Sequence, residues 1–192
     1  MVFFIADPHF GHDKIRAKRG FASIEEMDAL IINNWNARVT DEDHVYIVGD
    51  LMYRNARPAV EYLSQLKGKK HLVIGNHDRA WMKTVKLSDW FEEAAFVLEG
   101  DYKGTYYTVS HYPMMDWYRR RHGAHHIYGH IHNNTCDPYF NFLQTIPRAY
   151  NAGVDVNHFK PVTLSELIHN TAAYREKMTH GPHYAFGEEP SR

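Results

Sequence analysis

Five short apolar segments of this chain each end in a small group of Asp, Asn or His residues. The segments are rich in β-branched and aromatic side chains, which is typical of buried strands. The polar groups that follow are Asp7-Pro8-His9, Gly49-Asp50, Gly75-Asn76-His77-Asp78, Ser110-His111 and Gly129-His130-Ile131-His132. In open α/β sheets, binding sites form beyond the carboxyl ends of the strands. Five such groups in order predict a site for two metal ions at that edge.

The first half of the chain alternates between strand-like and helix-like segments. The predicted strands are residues 2–5, 44–48 and 71–74, and a loop covers residues 7–20. The first predicted helix begins after Ser23, and the second spans residues 58–66. Ser23 can cap the first helix, with Glu26 at the capping-box position. Pro58 suits the first turn of the second helix. The β-α-β-α-β order favours a parallel sheet with right-handed connections.

The second half carries shorter strand-like segments and one long helix-like segment. The pattern predicts a hairpin of residues 94–98 and 105–109 around residues 100–104, strands at 125–128 and 149–152, and a helix at 163–178. Periodicity alone supports only a mixed α/β fold. At 192 residues the chain is most simply one domain. We expect this domain to cover residues 1–178, with a flexible tail at residues 179–192.

Charge and cysteine content narrow the classes of protein that are compatible with the chain. Lys plus Arg (22) nearly balances Asp plus Glu (23), so strong non-specific binding to nucleic acid or to a membrane is not expected. The 15 histidines are many for this length, and metal ligation is one use for them. The single cysteine, Cys136, excludes an intramolecular disulfide. A cleaved leader would remove Asp7, so the sequence predicts a cytoplasmic protein.

Taken together, the polar groups resemble the motif series of the calcineurin-like metallophosphoesterases. The matching residues are Asp7-x-His9, Gly49-Asp50, Gly75-Asn76-His77-Asp78, His111 and Gly129-His130-x-His132. The resemblance runs from about Val2 to about Leu167. The stretches at residues 7–12 and 151–157 are similar to those of the small, single-domain bacterial and phage-type members. The resemblance implies an α/β fold of two packed mixed β-sheets flanked by helices, an αββα sandwich with the metals at the strand ends.

The resemblance also implies seven metal ligands. The first metal would take Asp7, His9, Asp50 and His132, and the second would take Asp50, Asn76, His111 and His130. Asp50 would bind both ions, because a carboxylate can bridge where an imidazole cannot. Two divalent ions about 3.5–4 Å apart can clamp the oxygens of a phosphate ester and activate water. A ligand set rich in imidazole favours Mn, Fe, Ni or Zn over Mg or Ca.

Residues beside the ligands are candidates for catalysis or substrate contact. The resemblance implies that His77 orients the phosphoryl group or protonates the leaving oxygen. Asp78 is expected to hold the His77 ring, and a helix N-cap before residues 79–83 is its alternative role. His12 is equally compatible with substrate contact and with a loop hydrogen bond. The run Arg119-Arg120-Arg121 could bind phosphate, although such runs are more often solvated surface.

Several further side chains keep open roles. Arg54 and Asn55 are candidate substrate contacts, Tyr53, Tyr112, Trp117 and Tyr118 could stack on a base or pack in the core, and one of His125 and His126 should be buried. Their spacing does not decide between these roles. The sequence therefore leaves the roles of these residues open.

The sequence predicts a metal-dependent phosphoester hydrolase with two metal ions. We expect a phosphodiesterase that acts on small phosphodiesters or nucleotides, and the sequence leaves the native metals and the oligomeric state open. A non-catalytic interaction scaffold on the same fold is one alternative. All seven ligand positions and His77 are intact, which disfavours it. A phosphomonoesterase or a phosphoprotein phosphatase is a further alternative, and the latter usually carries longer insertions than this compact chain.

Overall fold

A computed structural model describes residues 1–53, 57–136 and 138–180 of the chain. Its elements are, in order, β1 (Val2–Ile5), α1 (Asp13–Lys18), α2 (Ile24–Asn36), β2 (His44–Val48), α3 (Ala59–Leu63), β3 (Lys69–Val73), β4 (Glu93–Ala95), β5 (Val97–Tyr102), β6 (Thr105–Ser110), β7 (His125–Tyr128), α4 (Pro138–Gln144), β8 (Ala149–Asn151) and α5 (Leu164–His180). Short 3₁₀ helices cover Trp81–Thr84, Leu87–Asp89, Arg120–His122 and Val154–Val156. Strands and helices alternate in the first half, as the sequence predicts.

The strands form two four-stranded sheets. In the first sheet, β1, β2, β3 and β4 lie side by side in chain order and all run parallel. In the second sheet, β5 pairs antiparallel with β6, whereas β6, β7 and β8 run parallel. The predicted α/β fold of two sheets flanked by helices is confirmed. Of the two sheets, the second is mixed and the first is purely parallel.

Apolar side chains divide the molecule into layers. Along β1, Phe3 and Ile5 pack with α2 and α3, whereas Phe4 faces the second sheet, because successive side chains of a strand point to opposite faces. The cluster between the sheets includes Tyr46 and Tyr107, whose rings meet edge to face. A third cluster joins the outer face of the second sheet to α4. The helices therefore cover both outer faces and leave the strand ends to the loops.

The chain crosses from one sheet to the other at a single residue, Phe96. Residues 94–98 were expected to form one strand of a hairpin, and this was wrong: β4 ends at Ala95 and β5 begins at Val97. Both pieces are extended, so local sequence cannot show the change of sheet. The hairpin turn is also tighter than expected. Lys103 and Gly104 alone connect the two strands, both with positive φ, as a two-residue hairpin turn requires.

Four helices differ from the prediction. Helix α1 lies within the expected loop at residues 7–20. It buries no residue, and its sequence has no hydrophobic pattern that would predict a helix. Pro58 is the N-cap of α3 rather than part of its first turn. Helix α4 was not predicted, and α5 extends to His180, into the expected tail. Residues 181–192 lie outside the described part of the chain.

No helix within the described ranges is long and apolar enough to cross a membrane. The cytoplasmic location and the single domain at residues 1–178 stay predictions.

Candidate metal centre

The carboxyl ends of the parallel strands of both sheets meet at one edge, and the five polar loops lie there. Three contacts join four of these loops. Asp7 N–H donates to the oxygen of Gly49 (3.1 Å), and Gly129 N–H donates to that of His111 (3.0 Å). His130 N–H donates to Asp7 Oδ2 (2.9 Å), which links the two sheets. The side chains predicted as ligands are thereby brought to a common site.

Two overlapping groups of side chains have the spacing of a metal site. One potential ligand atom from each of Asp7, His9 and His132 lies within 4.8 Å of the others, and the same holds for Asp7, Asp50 and His111. Asp50 Oδ2 is 3.7 Å from His9 Nε2 and 3.5 Å from His111 Nε2. Asp50 belongs to the second group and also lies beside His9 of the first group, a position that suits a bridging ligand. Asp7 belongs to both groups.

Asn76 and His130 complete the second group. Asn76 Oδ1 lies 2.9 Å from His111 Nε2 and 3.1 Å from His130 Nδ1. Both Asn76 and His130 are exposed, whereas Asp7 and His9 are buried. The two candidate metal positions are therefore unequal. One is buried and lined by carboxylate and imidazole, and the other faces solvent.

Five of the seven candidate ligands have a left-handed backbone. The φ angles are 56° at Asp7, 52° at His9, 54° at Asp50, 72° at His130 and 50° at His132. Non-glycine residues rarely adopt this region, which costs roughly 1–2 kcal/mol per residue. Strained backbone concentrates at functional sites. The conformation of the chain thus points to the same location as the residue types do.

Two glycines allow the ligand loops to approach each other closely. Gly49 has a φ of 83°, and a methyl group there would overlap the imidazole of His111. A methyl group on Gly75 would overlap the carboxylate and the backbone of Asp50. Because glycine lacks Cβ, Asp50 fits between the loops that follow β2 and β3.

Several buried polar atoms at the centre have no hydrogen-bond partner. They are Asp7 Oδ1 and both ring nitrogens of His9. Leaving such an atom unsatisfied costs about 1–3 kcal/mol. Burial lowers the pKa of His9 well below its usual value, so the ring is neutral, which is the form that binds metal. Burial also raises the pKa of Asp7 to about 6. A divalent cation would satisfy these atoms, so the residues present fit a metal centre.

His77 lies on the solvent side of Asp50. Its backbone N–H donates to Asp50 Oδ1 (2.8 Å), and its Nε2 is 3.9 Å from Asp50 Oδ2. The ring packs edge to face against His9, with 5.3 Å between the ring centroids. The side chain is 37% exposed. It can therefore reach a molecule bound over the centre and exchange a proton with it.

Asp78 does not hold the ring of His77, contrary to the expectation from the sequence. Its fully buried carboxylate accepts hydrogen bonds from Asp50 N (2.8 Å), Leu51 N (2.9 Å), Gly75 N (2.8 Å) and Trp81 Nε1 (2.8 Å). Four donors occupy the lone pairs of a carboxylate. Asp78 is not a helix N-cap either, because the following 3₁₀ helix begins at Trp81 after Ala80. Asp78 therefore joins the loops after β2 and β3 by hydrogen bonds, which is a structural role.

Arg19 and Asp155 support the ligand loops, although the sequence analysis named neither as a site residue. Asp155 Oδ2 lies 2.8 Å from His132 Nδ1. Arg19 donates to both oxygens of Asp155 (2.7 and 2.9 Å) and to the backbone oxygens of Asp7 (2.7 Å) and Pro8 (2.9 Å). The two side chains are 1% and 4% exposed. This buried ion pair connects the loop after β1 to the loop that carries His132.

The ion pair also orients the imidazole ring of His132. Burial alone would raise the pKa of Asp155, but Arg19 and His132 hold it well below its usual value. The ionised carboxylate accepts from Nδ1 of His132, and this contact fixes the orientation of the imidazole ring. The signal in the sequence was the position of Asp155 within the stretch 151–157, which resembles the small family members.

His12 lies beside the centre. Its ring stacks on Tyr53 with 3.8 Å between centroids and meets His77 edge to face at 5.9 Å. Burial, together with the nearby His77, lowers the pKa of His12 to about 4. The position is compatible with substrate contact, and that role stays a prediction.

The three consecutive arginines lie away from the centre. Arg119 covers the ring of Tyr106 at 3.8 Å, and Arg120 lies over Trp117 at 5.1 Å. Tyr106 is near the start of β6, whereas the ligand loops follow its end. Arg121 belongs to the same 3₁₀ segment as Arg120. A phosphate contact at the centre is therefore not supported for this run. Arg54 and Asn55 lie outside the described residues.

Comparison with known proteins places the chain in a family. A model described as calcineurin-like phosphoesterase matches residues 1–189. The chain is 33% identical over 171 residues to the uncharacterized protein MJ1445 of Methanocaldococcus jannaschii, covering 87% of this chain and 89% of the relative. It is 28% identical over 183 residues to the Gene 66 protein of Mycobacterium phage D29, covering 82% and 89%. A solved structure of AQ665, a protein of unknown function from Aquifex aeolicus, aligns with a TM-score of 0.69 and 26% identity over 88% of this chain and 98% of that one.

The chain belongs to the calcineurin-like phosphoesterase family, a family of metal-dependent hydrolases. The resemblance stated from the motifs is thereby confirmed. The Asp and His groups at the strand ends could hold metal ions.

Replacement of Asp50 tests its position between the two groups. We expect near two equivalents of transition metal in the reconstituted protein, and we expect Asp50→Ala to lose most of both, because it removes the shared ligand. Elemental analysis after desalting measures the content. Asp89→Ala, which removes an exposed carboxylate paired with Lys86, is the matched control. Wild-type protein that binds no transition metal would contradict the assignment of the whole centre.

Replacement of Asp155 tests the support of His132. Asp155→Asn keeps the shape but removes the charge that orients the imidazole. We expect the affinity of one metal equivalent to fall about 10–100-fold, with the other retained. Competition with a chelator of known affinity resolves the two equivalents, and Asp116→Asn at the exposed pair with Arg120 is the control. Unchanged affinity of both equivalents would show that the buried ion pair serves the fold alone.

Proposed function

We propose that the chain is a phosphodiesterase that hydrolyses small phosphodiesters, including nucleotides, at a centre of two divalent transition metals. The observation that supports this proposal is the convergence of the seven candidate ligands at one edge of the sheets, with unsatisfied ligand atoms on Asp7 and His9. The proposed ions are Mn, Fe, Ni or Zn, because the set combines imidazoles with few carboxylates. Membership of a phosphoesterase family supports the reaction class.

The charge of the centre suits an anionic substrate. Two divalent ions would bring four positive charges against the two carboxylates of Asp7 and Asp50. Asn76 adds a neutral oxygen, and the charge of Asp155 is matched by Arg19. A loaded centre would therefore stay net positive. When bound, the ions supply Lewis-acid polarisation of the phosphoryl oxygens and an activated water.

His77 is the side chain of the protein that is best placed to complete the reaction. Its backbone is fixed by Asp50 Oδ1, so the ring is oriented relative to the centre. Its exposed edge can donate a proton to the leaving oxygen as the bond from phosphorus to that oxygen breaks. The alcohol then departs neutral rather than as an alkoxide. A general acid in this role contributes about 10²–10⁴-fold to the rate.

A diester is the favoured substrate for three reasons. It carries one negative charge, and its leaving group usually needs the proton that His77 can supply. Asn76, His77 and His130 all reach solvent, so the edge of the centre is open to a substrate with groups on both sides of the phosphorus. A monoester is the second candidate, because its extra charge binds strongly to a dinuclear centre. The intact ligand set disfavours a non-catalytic scaffold.

Replacement of His77 separates metal binding from chemistry. We expect His77→Ala to keep its metals, because His77 is assigned outside both ligand sets, and to lower kcat about 10²–10⁴-fold. The loss should be smaller for nitrophenyl than for alkyl leaving groups, because a good anion needs less protonation. Steady-state kinetics on both classes measures this, with the exposed His122 replaced by Ala as control. An equal loss on both classes would assign His77 to positioning instead.

The substrate class is tested with a matched pair. The metal-loaded protein should show a higher kcat/KM on bis(4-nitrophenyl) phosphate than on 4-nitrophenyl phosphate, and a chelator should abolish both activities. Release of nitrophenolate reports on both substrates with the same signal. Activity confined to the monoester would replace the diesterase proposal by a phosphomonoesterase and leave the metal centre standing.

A further inference from the structure

Two tyrosines lie beside different histidines of the candidate metal centre. Tyr53 lies beside His12 and His77, where its ring is stacked on His12 at 3.8 Å. Tyr112 lies beside two others, with its ring centroid 4.5 Å from that of His130 and 5.2 Å from that of His111. One face of Tyr53 is therefore already covered by His12. Tyr112 is inclined to both neighbouring rings, at 61° and 71°.

The loop that carries Tyr112 is held on both sides of the residue. Ser110 Oγ donates to the backbone oxygen of Tyr112 (2.7 Å). Two residues later, Met114 N–H donates to Nε2 of His126 (3.0 Å), a fully buried histidine whose Nδ1 lies 3.2 Å from the oxygen of Thr108. Burial lowers the pKa of His126 to about 4, so the ring is neutral and Nε2 can accept. The prediction that one of His125 and His126 is buried is confirmed.

Tyr112 is nevertheless 52% exposed. A large aromatic ring that is fixed in place, left in solvent and set against a candidate ligand is preorganised for stacking, since little entropy is lost when a second ring settles on it. The other aromatic candidates differ. Trp117 is buried against Ala124, and Tyr118 belongs to the segment beside Arg119, near the far end of β6. Of the four aromatic candidates, Tyr112 is the one that lies beside a candidate ligand and is more than half exposed.

We propose that Tyr112 forms a stacking subsite for a planar aromatic group, an aryl ring or a nucleobase, on the ester substituent that remains attached to phosphorus. The inference rests on the proposed phosphodiesterase function and names its substrate class. His77, whose ring lies beside Tyr53, would meet the leaving group, whereas Tyr112 packs against His111 and His130. The two substituents of a diester would then lie on opposite sides of the scissile phosphorus, with Tyr112 binding the one that stays.

The experiment compares two diesters that share a leaving group. Bis(4-nitrophenyl) phosphate retains an aryl group after cleavage, whereas methyl 4-nitrophenyl phosphate retains a methyl group. For the metal-loaded protein, we expect the KM of the methyl diester to exceed that of the aryl diester. Tyr112→Ala should reduce this KM ratio about tenfold, in the range that removal of a stacking ring produces. The ratio of the two kcat values should stay as in wild type, because both diesters have the same leaving group.

Tyr112→Phe separates the ring from the hydroxyl, which lies 3.5 Å from Asn76 Oδ1. This variant should keep the KM ratio of wild type. If it loses activity on both diesters equally and Tyr112→Ala leaves the KM ratio intact, the hydroxyl is the working group and the stacking subsite is overturned. Tyr118→Ala, at an exposed tyrosine away from the centre, is the matched control. Metal content and circular dichroism confirm that each variant is folded and loaded.

A binding measurement keeps the subsite testable if neither diester is hydrolysed. Calorimetry then compares phenyl phosphate with methyl phosphate on the metal-loaded protein. Tighter binding of phenyl phosphate that is lost in Tyr112→Ala would support the subsite even though the phosphodiesterase proposal had failed. Equal binding of the two compounds by wild type would overturn the subsite, whatever the outcome for hydrolysis.

Discussion

The carboxylate of Asp78 fastens the loops after β2 and β3 to each other, and the position of Asp50 depends on it. Three of its four hydrogen bonds come from backbone N–H groups, among them those of Asp50 and Gly75. Without this acceptor, each of these buried donors would cost about 1–3 kcal/mol. Asp50 in turn accepts the N–H of His77. One buried side chain thereby sets the geometry of the candidate bridging ligand, Asp50, and of the candidate acid, His77, together.

The centre combines strained segments with rigid supports. Five candidate ligands hold a left-handed backbone, and the arrangement persists because neighbouring groups determine it. Arg19 fastens the loop of Asp7 and Pro8 by its carbonyl oxygens, while the same guanidinium holds Asp155 against His132. Arg19 and Asp78 are both buried side chains, and each binds backbone groups of the ligand loops. The ligand side chains can therefore present unsatisfied atoms without collapse of the site.

The sequence predicted the parts of this structure that are local, and it failed where distant contacts decide. The strands 2–5, 44–48 and 125–128 were placed correctly, because their apolar runs are short and bounded by turn residues. The change of sheet at Phe96 and the short helices α1 and α4 carry no periodic signal. At the centre, residue types and order indicated the location of the site. The hydrogen-bond partners of Asp78 could not be deduced from the sequence. An Asp that follows a His in the chain can bind the imidazole ring or backbone N–H groups that are distant in sequence, and the sequence does not distinguish these two cases.

The crossover at Phe96 divides the chain into two halves that each contribute candidate metal ligands. Asp7, His9, Asp50 and Asn76 precede it, and His111, His130 and His132 follow it. An ion held by both halves acts as a reversible cross-link between them, and it adds to the folded state a free energy that grows with the logarithm of metal concentration. Thermal stability is then a joint property of the polypeptide and its medium. Two preparations of identical sequence would melt at different temperatures if their free metal differed.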